Sequence, residues 1–110
     1  MSKRSFSLLA ALLFAHSAFA ADSSATFDPK TCKPEYPKAS LINEETGVVT
    51  MAFLVSAEGH VVDSKVEKSS GFKNLDKAAV KGISACKFRP GMKDGHADQT
   101  WAKVEYTWAL

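Results

Sequence analysis

Cys32 and Cys86 carry the clearest chemistry in this 110-residue chain. As its only cysteines they can join in one way, and in an oxidising compartment a disulfide is the default. By loop entropy, closing about 55 residues is worth on the order of 4 kcal/mol, a large share of a small domain's stability. A zinc site built with His60 and His96 would need a C-x-x-C or H-x-x-x-H spacing, and neither occurs. A redox-active pair would sit close in sequence at a helix start. A structural disulfide, Cys32 to Cys86, is expected. Catalysis finds little footing. His60 and His96 each follow a turn glycine, and Ser69-Ser70-Gly71 lacks the G-x-S-x-G elbow of serine hydrolases. The acids mostly alternate with lysines, as solvating charge does, and there is no Gly-rich phosphate loop. The expectation is a protein that is not an enzyme, with no catalytic residue, no cofactor, no metal and no small-molecule substrate.

The other chemistry is that of backbone groups. From Thr100 to Leu110, Ala102, Val104, Tyr106, Trp108 and Leu110 alternate with Trp101, Lys103, Glu105, Thr107 and Ala109. That is a strand with one apolar and one mixed face. In a three-stranded sheet this last strand pairs on one side, and its other side offers free N–H and C=O groups. Such an edge must be protected or used. Used, it takes up an extended peptide by backbone pairing, with side chains supplying selectivity. Trp101, Lys103, Val104, Glu105 and Tyr106 are the candidate contacts, while Tyr106 and Trp108 also read as core.

The elements that must hold this edge are legible. Gly47 to Ala57 is a strand with Val49, Met51, Phe53 and Val55 on one face. Ala57-Glu58-Gly59-His60 turns it into a second strand, His60 to Ser70. Leu75, Ala79, Ile83 and Cys86 form one stripe of a helix from Leu75 to Cys86, with Asn74 as N-cap and Asp76 in the first turn. Pro90-Gly91 and Asp94-Gly95 read as turns. Lys38 to Asn43 could form one helical turn. Together these predict a small two-layer α+β domain: a three-stranded antiparallel sheet packed on one main helix, with one disulfide.

Residues 1–20 read as a signal peptide. Lys3 and Arg4 precede an apolar run from Phe6 to Ala15, and Ala18-Phe19-Ala20 is an A-x-A site predicting cleavage after Ala20. The run is too short to span a bilayer, although an uncleaved anchor is the rival reading. From Ala21 onward 12 basic residues balance 12 acidic ones, so the folded part lacks the basic footprint of a nucleic-acid binder. Residues 21–31 are polar, show no apolar period and read as a flexible lead-in to a domain over 32–110.

The ordered set of motifs resembles the C-terminal domain of TonB-type energy transducers. It comprises Pro34-Glu35-Tyr36-Pro37, Gly47-Val48-Val49, Phe53-Leu54-Val55, Glu58-Gly59-His60-Val61, Ser69-Ser70-Gly71, Leu75-Asp76-Lys77-Ala78-Ala79, Phe88-Arg89-Pro90-Gly91, Gly95 and Val104-Glu105-Tyr106-Thr107-Trp108. The resemblance implies a Gram-negative periplasmic domain that grips a short peptide, the TonB box, of outer-membrane transporters with its last strand. It also implies transporter contact at Glu35, Tyr36 and Pro37, which match the family's Y-P element. Cys86 stands where many members have Trp, and 11 residues of lead-in reach at most about 39 Å, too short to cross the periplasm. A periplasmic binding module is the expected function. A homodimerising envelope protein using the same edge and an anchored transducer are the alternatives.

Overall fold

The structure, a computed structural model, describes residues 22–30 and 32–110; the signal peptide expected over residues 1–20 lies outside the described residues. In chain order the elements are β1 (Thr26–Phe27), α1 (Lys38–Ile42), β2 (Gly47–Val55), β3 (Val61–Lys68), α2 (Lys73–Ser84), β4 (Phe88–Arg89), β5 (Gly91–Lys93), β6 (His96–Asp98) and β7 (Thr100–Trp108). The main sheet has the order β3-β2-β7, antiparallel throughout. Beside it lie two two-stranded pairings, β1 with β4 and β5 with β6. The α+β class, the three-stranded sheet, the single main helix and the Cys32–Cys86 disulfide all stand as expected.

Period-2 alternation decides which face of β2 is buried. Val49, Met51, Phe53 and Val55 have no solvent exposure, and α2 lays Leu75, Ala79 and Ile83, equally inaccessible, against them. From β7, Ala102, Val104 and Trp108 complete the core. Leu110, expected on that face, lies past the end of the strand and is exposed. The β2–β3 turn needs glycine twice over. Gly59 has φ +92°, and a Cβ there would lie 2.3 Å from the Phe88 carbonyl oxygen. That close approach brings the Phe88 N–H onto the Gly59 carbonyl at 3.0 Å and ties the hairpin to β4.

The helix starts and ends earlier than its sequence suggests. It begins at Lys73, with Phe72 rather than Asn74 at the cap position and no side-chain cap. Asp76 does the capping work from inside: its carboxylate accepts the Ser70 N–H at 2.8 Å, the Ser70 hydroxyl at 2.6 Å and the Ser69 hydroxyl. These bonds hold the Ser69-Ser70-Gly71 loop onto the first turn. Burial pushes the Asp76 carboxyl up, but the three serine bonds outweigh it and hold the pKa below the ordinary 3.8. A depressed carboxylate stabilises the fold above its unfolded pKa and loses that contribution as pH falls through the folded one. Asp76→Asn should therefore destabilise by about 1–2 kcal/mol at neutral pH. Urea melts should show the gap between variant and parent closing as pH drops through the carboxylate range. Past Ser84 the chain turns, and Cys86 is still buried.

Within the segment expected as a flexible lead-in, the described residues from Ser23 to Phe27 make specific contacts. Ser23 and Met92 exchange N–H···O bonds of 3.0 and 2.9 Å, and β1 pairs with β4. Ala25 is buried, with its N–H on Thr100 Oγ1 at 3.2 Å, and Phe27 packs on Phe88 with ring centroids 5.3 Å apart. The segment has no apolar period because it makes only a two-residue pairing, stabilised by backbone bonds and two apolar side chains. Gly91 likewise sits in β5 instead of a turn; Asp94-Gly95, with φ of 52° and 81°, makes the tight β5–β6 turn.

Candidate peptide-binding edge

The sheet has two outer edges, and they are built differently. β3 carries Asp63, Lys65, Glu67 and Lys68 within eight residues, and its pairing with β2 slips in register at Thr50/Met51 and at Leu54/Val55. Charges and bulges are the usual ways of blunting an edge against further pairing. β7 has neither defence. Its register with β2 runs unbroken over nine pairs, Gly47↔Trp108 to Val55↔Thr100, and it carries only Lys103 and Glu105 as charges. Among the described residues no strand pairs with its outer side. On that side every second residue presents an N–H and a C=O. The chemistry this arrangement supports is the addition of one more strand.

The expected contact residues fall into two groups. Val104 is buried beneath the edge and Tyr106 is half-buried. Tyr106 meets Trp108 edge-on at 4.9 Å, and Trp108 meets Tyr36 edge-on at 4.8 Å. Burial, and then the neighbouring Tyr36 phenol, push the Tyr106 hydroxyl above its ordinary value of 10, so it stays protonated at physiological pH. Tyr36, Tyr106 and Trp108 thus form one aromatic cluster at the C-terminal end of β7, and Pro34 and Lys33 help line the groove beside it. Glu35 is exposed, and Pro37 is the N-cap of α1. Trp101 lies apart, at the start of β7 and on the opposite face, with Lys65 Nζ 4.8 Å from its ring centroid. Lys103 shares that outer face and pairs with Glu67 at 3.4 Å. Glu105 is exposed there too. Lys65 and Lys103 reach across β2 from its two neighbours, which is why Ala52 between them is buried.

What places Tyr36 is a pinned extended segment. Cys32 is bonded to Cys86 just past the helix, with Cα atoms 5.8 Å apart. Two residues on, Pro34 packs against Gly82, where a Cβ would come within 2.7 Å of the Pro34 Cα. Tyr36 then turns onto Trp108, and its hydroxyl donates to the Glu45 carbonyl. Lys33 and Pro34 were not among the expected contacts. The signal for them is Gly82 inside a helix, a residue that costs stability there unless something must approach closely. Gly82→Ala should show the conflict. Helix propensity favours the alanine by about 1 kcal/mol, yet the clash with the Pro34 backbone should leave the variant less stable by about 1–3 kcal/mol. Thermal melts in which the alanine variant is the more stable protein would remove Gly82 from this role.

The family described as Gram-negative bacterial TonB protein C-terminal matches residues 32–110. Protein TonB of Neisseria gonorrhoeae is 53% identical over 49 residues, covering 44% of this chain and 17% of that protein. Protein tonB2 of Pseudomonas aeruginosa is 34% identical over 77 residues, covering 70% of this chain and 28% of that protein. The chain thus spans less than a third of the length of these curated relatives. Among solved structures, the NMR structure of the Helicobacter pylori TonB C-terminal domain superposes with a TM-score of 0.53 at 27% identity, covering 70% of this chain and 80% of that one.

Proposed function

The chain belongs to the TonB C-terminal domain family, and on that premise we propose that it is a binding module of TonB-dependent transport, taking an extended TonB-box-like peptide of an outer-membrane transporter as a fourth strand beside β7. The observation that carries this reading is the contrast between the two sheet edges. One is bulged and charged, and the other is a regular nine-residue ladder with nothing on its outer side among the described residues. A peptide on β7 would make backbone bonds to alternate residues from Trp101 to Tyr106. Its side chains would alternate between the face of the Tyr36–Tyr106 cluster and the outer face carrying Trp101, Lys103 and Glu105. Glu35 and Pro37, flanking Tyr36, would contact the peptide's far end or the transporter around it.

The leader, if cleaved after Ala20, would release the module into the periplasm, the compartment in which Cys32 and Cys86 oxidise. No described helix is long and apolar enough to cross a membrane. Amide hydrogen exchange tests the reading. Adding a synthetic peptide from a transporter's N-terminal extension should slow exchange at alternate β7 amides, those facing away from β2. Protection confined to α2, or none at saturating peptide, would overturn it. Protection that grows with protein concentration alone would assign the edge to a second copy of the chain instead.

A further inference from the structure

The side of the molecule away from β7 carries a second surface. Lys73, Lys77 and Lys81 are all exposed on α2 at intervals of four residues, which places them in a row about 6 Å apart. Like charges so spaced repel and weaken a helix. Among the described residues none of the three pairs with an acid; the one ion pair is Lys103–Glu67, on the other face of the sheet. Asp76, the acid on the same helix, is occupied by Ser69 and Ser70. The row is not a by-product of a basic protein, because charges balance from Ala21 onward. Apolar groups lie beside it: Val66 is 41% exposed, and Phe72, immediately before the helix, 38%. Val66 and Val80 line a shallow cavity of about 280 Å³ walled by the stems of the three lysines and by Asp76.

We propose that this α2–β3 corner docks onto a bilayer surface carrying anionic headgroups. Singly projecting apolar side chains beside a row of unpaired ammonium groups are what an anionic lipid interface takes up. A peptide would need more. The cavity is shallow and open, with no deep pocket for an anchoring side chain, and the β3 edge beside it is bulged and charged. Docked through α2 and β3, the domain keeps β7 free at the opposite edge of the sheet, so lipid and peptide can be held together. The inference does not depend on the peptide reading.

Vesicle co-sedimentation of the full chain tests it, comparing phosphatidylcholine vesicles with the same vesicles containing phosphatidylglycerol. The leader is common to every variant, so the measured quantity is the preference for phosphatidylglycerol. Each lysine near such a surface is worth about fivefold in partitioning, and three about 100-fold. Lys73→Gln/Lys77→Gln/Lys81→Gln should remove most of the preference, Phe72→Ser should weaken binding, and Lys103→Gln should change neither. Raising the salt should weaken the parent far more than the triple variant. An unchanged preference in the triple variant overturns the proposal. So does binding to a polyglutamate peptide without any preference for anionic vesicles, which would assign the row to an acidic protein partner. Should the triple variant misfold, line broadening of α2 amides by a paramagnetic lipid in the parent decides: broadening at Lys73–Lys81 supports docking, and broadening elsewhere contradicts it.

Discussion

Replacing one backbone donor on the free side of β7 should weaken peptide binding at least tenfold while leaving the domain folded. Val104 and Glu105 are adjacent, so one N–H points to β2 and the other outward. Proline removes the donor and places a ring where the incoming strand would lie. Of Val104→Pro and Glu105→Pro, the one inside the ladder should unfold or severely destabilise the sheet. The other should keep the parent's melting behaviour and lose binding at least tenfold, the cost of one backbone bond plus the steric clash. Calorimetric titration with a transporter-derived peptide reads this directly. A folded proline variant with the parent's affinity would show that the peptide does not add to this edge.

Removing the disulfide should produce the largest loss of stability of any change that leaves the sheet's backbone bonds intact. Cys32 and Cys86 are 54 residues apart in sequence, so the cross-link withholds about 4 kcal/mol of chain entropy from the unfolded state. In a domain of this size that corresponds to a fall in Tm of about 20 °C. Cys32→Ser/Cys86→Ala should show it, and reductant should reproduce it in the parent while leaving the double variant unaffected. Binding should weaken as well. Cys32 holds the segment through which Pro34 meets Gly82 and Tyr36 meets Trp108, and freeing it unsettles one end of the proposed peptide groove. A double variant that melts with the parent would mean that the packing of Pro34 and Tyr36 holds the segment without the bond.

What was legible in the sequence is what repeats with a period or cannot be paired otherwise. Val49, Met51, Phe53 and Val55 alternate because one face of β2 is core, and Leu75, Ala79 and Ile83 recur because one stripe of α2 is. Two cysteines leave one pairing. The free edge of β7 followed from counting strands. The remainder depended on backbone. β1, β5 and β6 span two or three residues each, and apart from Phe27 and Met92 their side chains are too small or polar to leave a pattern. Asp76 caps the loop from within the helix because Ser69 and Ser70 fold back onto it, a three-dimensional event that Asn74 conceals in one dimension. The bulges that blunt β3 were hidden for a similar reason. Val62 and Val66 keep an apparent alternation while the pairing beneath them slips. The charges that set β3 apart from β7 were legible, but the bulged half of the contrast between the two edges is a property of register that composition does not report.

The most direct test of the account puts a photo-crosslinking amino acid at Lys103, whose side chain is exposed on the outer face of β7, and irradiates living cells. The account predicts an adduct with an outer-membrane transporter, lost when a proline on the free side of β7 blocks the edge. An adduct only with a second copy of the chain, or none from a folded protein, would contradict it.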